Sequence, residues 1–201
     1  MSATGGQRIA LQDADVRYQR HWLAPSTADA LMSALVKEIP WSQHRVRIFG
    51  RDLPSPRLSA WMGDPDASYT YSRVRHDPLP WTSTLVLLRR QLNAESGIDF
   101  NSVLANRYRD GRDSMGWHAD DEPELGPDPV IASISLGATR QMRFRSRAAV
   151  APGSIALALE HGSLLWMAGG TQRHYQHAIS KTRASVGERV NLTFRVLLAK
   201  S

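Results

Sequence analysis

The sequence predicts a mainly β protein with flanking helices, built as a sandwich or jelly roll. Three observations carry that expectation. After residue 100, short β-like segments follow one another with turn residues between them. Helical periodicity is confined to two earlier stretches. A chain of 201 residues, 42% of them hydrophobic, suits one domain with a sizeable core.

Taken in order, residues 1–16 read as a weakly ordered tail and first strand, and 17–201 as a single domain. Pro25-Ser26-Thr27 offers an N-cap for a helix over 27–38, with Ala30, Leu31, Ala34 and Leu35 on one stripe; Pro40-Trp41 ends it. Residues 42–80 are rich in Pro, Gly and Arg with short β-like pieces, and read as a lid. A second helix fits 82–95, where Leu85, Leu88 and Leu92 share a face and Ser96-Gly97 stops it. The segments SVLANRY, VIASISL, RQMRFRS, SIALALE, SLLWMA and VNLTFRVLL are the expected strands, with turns at Arg109-Asp110-Gly111, Leu136-Gly137, Ala151-Pro152-Gly153 and His161-Gly162. No internal repeat or low-complexity tract interrupts them.

Composition narrows the chemistry. With no cysteine there is neither a disulfide framework nor a thiolate metal site, so any metal must use histidine and carboxylate. No run of about 18 apolar residues occurs, and the N-terminal segment lacks an apolar signal region, so no membrane association is expected. The expected location is intracellular: cytoplasmic, or nuclear in a eukaryote. A net charge of +6 favours polyanionic partners. Of the 25 basic residues 22 are arginine, a ratio that codon usage explains. Clustering says more: Arg45, Arg47, Arg51, Arg57, Arg73 and Arg75 bracket the segment expected near a substrate.

His118 and Asp120 stand in WHADDE, His177 follows 57 positions after Asp120 (177 − 120), and Arg189 and Arg195 frame RVNLTFR. Two imidazoles and one carboxylate make a three-point face for Fe(II) that leaves other coordination positions open. Downstream guanidinium forks suit a metal-bound dicarboxylate, which suggests an oxygenase using Fe(II) and 2-oxoglutarate. In extended backbone His118 and Asp120 project to one side, and positions 189, 191, 193 and 195 share a face. Each feature is weak by itself: an HxD triplet is common, and arginines often decorate sheet edges.

The flanking text changes that weight. PRLSAW, SYTYS, NSVLANRYRDGRDSMGWHADDE, IASISLGATR, HGSLLWM and RVNLTFR, spread over roughly residues 40–198, resemble the AlkB family of nucleic-acid dealkylating dioxygenases. The resemblance implies a double-stranded β-helix (jelly-roll) core at about 100–198, with an N-terminal nucleotide-recognition lid at about 42–80. It implies that His118, Asp120 and His177 are the catalytic iron ligands, and that Asn106, Tyr108, Arg189, Asn191 and Arg195 hold 2-oxoglutarate. Arg189 would take the 5-carboxylate and Arg195 the chelating end. Tyr69, Tyr71 and Asp121 would meet the flipped base, Asp121 answering the positive charge of 1-methyladenine or 3-methylcytosine. Phe49, in Ile48-Phe49-Gly50, resembles the apolar hairpin tip that fills the gap left by that base, or else is a core phenylalanine in a turn.

The implied activity is oxidative demethylation of N-alkylated bases in single- or double-stranded DNA, and in RNA, with Fe(II), 2-oxoglutarate and O2, by a monomer. Two other readings stand beside it: the same chemistry on a protein or lipid, and a non-catalytic nucleic-acid-binding module. Tyr69, Tyr71, Asp121 and the basic balance argue against the first; the intact ligand set argues against the second. His21, His44, His76 and His161 receive no role. His174, three residues before His177, would be taken for the ligand only if the register slipped. Trp117 and Trp166 flank the site segments and are read as packing residues, with substrate contact as the alternative.

Overall fold

The computed structural model describes residues 6–48, 51–67, 69–71, 74–148 and 154–198. Strands β1 (Gln7–Arg8) and β2 (Asp15–Gln19) precede helix α1 (Pro25–Glu38). Then come β3 (Arg45–Ile48), β4 (Arg51–Pro54), β5 (Leu58–Gly63), β6 (Tyr69–Tyr71), β7 (Val74–His76) and helix α2 (Ser83–Ser96). The rest is β8 (Ser102–Tyr108), β9 (Met115–His118), β10 (Ile131–Gly137), β11 (Arg140–Ser146), β12 (Ser154–Leu159), β13 (Ser163–Ala168), the short helix α3 (Thr171–His174), β14 (Tyr175–Ile179) and β15 (Arg189–Arg195).

Helix α2 forms where its leucines predict. Thr82 accepts a hydrogen bond from the Leu85 amide as N-cap, and Gly97 closes the helix at φ 72°, a left-handed conformation open to glycine. Helix α1 begins two residues earlier than expected, because Pro25 with its fixed φ starts the helix after an extended Ala24, without a side-chain cap. Its buried stripe is also rotated. Ala28 and Leu35 are buried, Leu31, Met32 and Val36 pack beside them, and Ala30 faces solvent.

Two antiparallel sheets make a jelly roll. The larger has the order β1-β2-β13-β10-β15-β8-β5, the smaller β12-β11-β14-β9. Strand β5 lies within the interval 42–80, yet it pairs with β8 from Leu58↔Arg107 to Gly63↔Ser102 as an edge of the larger sheet. Outside the two sheets stand the hairpins β3-β4 and β6-β7. Phe49 lies outside the described residues. The last strand stops at Arg195, short of the expected Leu198. Among the described residues no helix is long and apolar enough to cross a membrane.

Strand alternation makes two cores. One face of the larger sheet turns Val103, Ala105, Ala132, Ile134, Val190, Leu192 and Phe194 onto α1 and α2. The other faces the smaller sheet, where Val16, Ile131, Leu165 and Met167 meet Met142, Phe144 and Ile179. At the end of this second core the apolar side chains give way to polar ones.

Candidate metal centre and cosubstrate site

Register decides which side chains meet. Strands β15 and β8 pair Arg189↔Tyr108, Asn191↔Asn106 and Thr193↔Leu104, so these side chains share the face that looks toward the smaller sheet. Strand β10 adds Ser135 opposite Asn191 and Ser133 opposite Thr193. Across from them, β14 and β9 set His177 directly beside His118, and Asp120 follows two residues after the end of β9.

The three expected ligands converge. His177 Nε2 lies 3.7 Å from one Asp120 carboxylate oxygen and His118 Nε2 lies 4.0 Å from the other. All three ligand atoms fall within 4.8 Å of one another. Nitrogens and oxygens bound at about 2.1 Å to one ion sit within such separations. His118 Nδ1 donates to the Gly116 carbonyl at 2.9 Å, which leaves the Nε2 lone pair directed at the ion site. Burial, together with the charge of His118, pushes the His177 imidazole down to about 3, so it is neutral and ready to ligate near pH 7. For Asp120 burial acts the other way. The charge of Arg195, joined by those of His177 and His118 when they are protonated, outweighs it and holds the carboxyl below its ordinary value.

Support for the triad comes from residues far off in sequence. An Arg195 Nη2 to Asp120 Oδ1 hydrogen bond ties the carboxylate to β15. The Asp120 amide donates to the Gln172 side-chain oxygen at 3.0 Å, so buried Gln172 in α3 fixes the backbone just past β9. Neither link follows from spacing: the first spans 75 positions and the second 52.

The recess beside the triad is lined by Asn106, Tyr108, Asn191, Thr193 and Arg195, with the thioethers of Met115, Met142 and Met167 on its other walls. Arg189 is only 1% exposed. It donates to Ser135 Oγ at 2.9 Å, and its guanidinium stands 5.1 Å from the Tyr108 ring centroid. Among the described residues, Arg189 Nε and Nη1 and Arg195 Nε find no hydrogen-bond partner. Buried guanidinium groups with unmet N–H donors call for an anion, and a dicarboxylate fits them. Burial pushes the Arg189 guanidinium down from its ordinary value, but a guanidinium keeps its proton throughout the accessible range.

Asn106 has a partner that sequence reading left unassigned. Arg57 Nε donates to its Oδ1 at 2.6 Å, so the amide NH2 is the end left for the recess. Asn191 is committed to the sheet: its NH2 donates to Ser133 Oγ and the Ile134 carbonyl, and its oxygen accepts from Thr193. Asp121 is half exposed and paired with Arg147 at 2.6 Å, while its neighbour Glu122 is more buried, and that burial pushes its carboxyl up. Tyr69 and Tyr71 lie in β6, opposite His76 and Val74. His174 is exposed and is not one of the three clustered ligand residues, whereas His161 accepts from the Gly137 amide at a turn. Trp166 is buried as read, but Trp117 is 36% exposed.

Comparison with known proteins places this geometry. The chain is 39% identical over 205 residues to the alpha-ketoglutarate-dependent dioxygenase alkB homolog 3 of Rattus norvegicus, covering 98% of this chain and 66% of that protein. It is 40% identical over 180 residues to the human DNA oxidative demethylase ALKBH2, covering 85% of this chain and 69% of the relative. The chain thus spans about two thirds of the length of these relatives. The structure of OsALKBH1 shares the fold at 15% identity, with a TM-score of 0.63 over 94% of this chain and 99% of that one. The model of the 2OG-Fe(II) oxygenase superfamily matches residues 15–195. That span runs from the first residue of β2 to the last of β15 and takes in every element of the site, and the chain belongs to that superfamily.

Proposed function

We propose that the protein oxidatively demethylates N-alkylated bases of the 1-methyladenine and 3-methylcytosine type in DNA, with RNA as a further substrate, acting as a monomer inside the cell. The observation that carries the reading is a His-Asp-His triad facing a buried arginine with unmet donors. The relatives named for DNA demethylation supply the substrate class. Bound iron with 2-oxoglutarate and O2 supplies the oxidation, which leaves succinate, CO2 and a hydroxymethyl on the base nitrogen that departs as formaldehyde.

The chain's own residues hold and place the reactants. His118, Asp120 and His177 hold the ion. Arg189 takes the 5-carboxylate of 2-oxoglutarate, which its depth and unmet Nε and Nη1 support. Arg195 is already bonded to a metal ligand, and this supports placing it at the chelating end. Asn106 offers its amide hydrogens there, turned by Arg57, and Tyr108 walls the Arg189 side. Tyr69, Tyr71 and Phe49 receive the flipped base, since chemistry on a base requires it to leave the stack. Asp121 meets the cationic ring by exchanging its exposed bond to Arg147, a contact of little net worth in water.

The test is mass spectrometry of a single-stranded oligonucleotide carrying one 1-methyladenine, incubated with the protein, Fe(II), ascorbate and 2-oxoglutarate. Loss of the methyl group only when 2-oxoglutarate is present is the expected result. Succinate without demethylation would move the substrate to another class. Neither product, with iron bound, would leave a binding module.

A further inference from the structure

The smaller sheet has an outer face that the chemistry above does not use. Strand β11 alternates Met142 and Phe144 inward with Gln141, Arg143 and Arg145 outward. Its neighbours on that face are uncharged: Ala156 and Ala178 flank Arg143, and Ser154 and Gln176 flank Arg145. Strand β9 forms the sheet edge, and there Trp117 alternates outward as His118 alternates inward. The Arg145 guanidinium lies 4.4 Å from the Trp117 ring centroid and bonds to Gln176. Arg143 is exposed and has no hydrogen-bond or ion-pair partner among the described residues. None of the face residues of these four strands is acidic.

We propose that this face is a binding platform for single-stranded nucleic acid flanking the lesion, with Arg143 and Arg145 on phosphates and the Trp117 ring against a base. The proposal rests on the nucleic-acid reading above. Cations beside an aromatic ring, with no anion among them, match the two things an unpaired strand offers: phosphates at regular intervals and bare base faces. The alanines keep the floor between the cations low enough for a backbone to lie on it. Position agrees with charge. Trp117 and His118 are adjacent residues on opposite faces of an edge strand, so a strand with its damaged base at the metal centre needs only to cross that edge for its neighbouring nucleotides to reach the platform.

The experiment compares Arg143→Gln/Arg145→Gln with the unaltered full chain on two substrates, a trinucleotide with a central 1-methyladenine and a single strand of about twenty nucleotides with the same lesion. For the long strand the expected KM rises about tenfold with kcat unchanged, and the slope of log KM against log salt falls by about 1.4, two phosphates at about 0.7 each. For the trinucleotide kcat/KM is expected to stay as it was. Equal losses on both substrates, or no loss on either, would overturn the platform. Fluorescence anisotropy with an undamaged strand separates the two readings: binding weakened by the double variant supports the platform even if no demethylation occurs, and binding unchanged refutes it.

Discussion

The two faces of β15 share one backbone and are equally buried, yet they hold opposite chemistries. Val190, Leu192 and Phe194 turn toward the helices among aliphatic and aromatic neighbours. Arg189, Asn191, Thr193 and Arg195 turn toward the smaller sheet and bring two cations with them. Burial does not separate these faces; satisfaction of polar groups does. On the first face each contact favours the folded chain. On the second, guanidinium groups have lost water and kept unmet N–H groups, which costs several kcal/mol per ion. The apolar face stabilises the fold against the cost of burying these cations.

The largest effect should come from Asp120→Ala. Two imidazoles without the carboxylate leave the ion underheld, and succinate release is expected to fall below detection while circular dichroism keeps its β signature. Phe194→Ala, on the other face, should cost about 3–5 kcal/mol in a denaturant titration, the range for emptying an aromatic site in a core. Arg189→Met turns the comparison around. Replacing an underpaired buried charge with an apolar chain is expected to leave the protein as stable or stabilise it by about 1–4 kcal/mol, while 2-oxoglutarate no longer raises its melting temperature. A destabilisation as large as that of Phe194→Ala would make both faces structural and end the distinction.

Acid should act on the polar region selectively. Folded His177 takes a proton only near about 3, while the unfolded chain takes it near its ordinary 6.5. Between those values the unfolded state binds more protons, so stability grows with pH there and is lost as pH falls. Asp120, also held below its ordinary value, adds a loss of the same sign at the acid end. Melting of iron-free protein from pH 7 to 4 should show the decline, with a shallower slope in His177→Asn. The smallest effect expected is Arg57→Ala. Losing the bond that turns Asn106 should raise KM for 2-oxoglutarate by about fivefold to tenfold, near 1 kcal/mol, with kcat almost unchanged.

The same contrast explains what could be read beforehand. Helix α2 was legible because Leu85, Leu88, Leu92 and Gly97 are a local pattern, and the triad was legible through the family-like text that flanks it, since an HxD triplet by itself is common. Strands β9 and β14 carry no such pattern. Met115–His118 is half exposed and Tyr175–Ile179 mixes polar and buried residues, because both serve the metal centre rather than a uniform core. Gln172 under Asp120, Arg57 on Asn106 and Ser135 on Arg189 are contacts between segments distant in sequence, fixed by the fold and invisible to spacing. Asn191 shows the converse. Its alternation with the two arginines is real, but the sheet consumes its hydrogen bonds.

Three thioethers line the recess, in a chain that has no cysteine to draw oxidation elsewhere. Met115, Met142 and Met167 are the most easily oxidised side chains within reach of an iron oxygenase site, and a sulfoxide at any of them would put a polar group where an apolar one now packs. Sulfoxide at Met115, Met142 and Met167, read by peptide mass spectrometry, is therefore the mark expected of protein left with iron and cosubstrate but no base to act on.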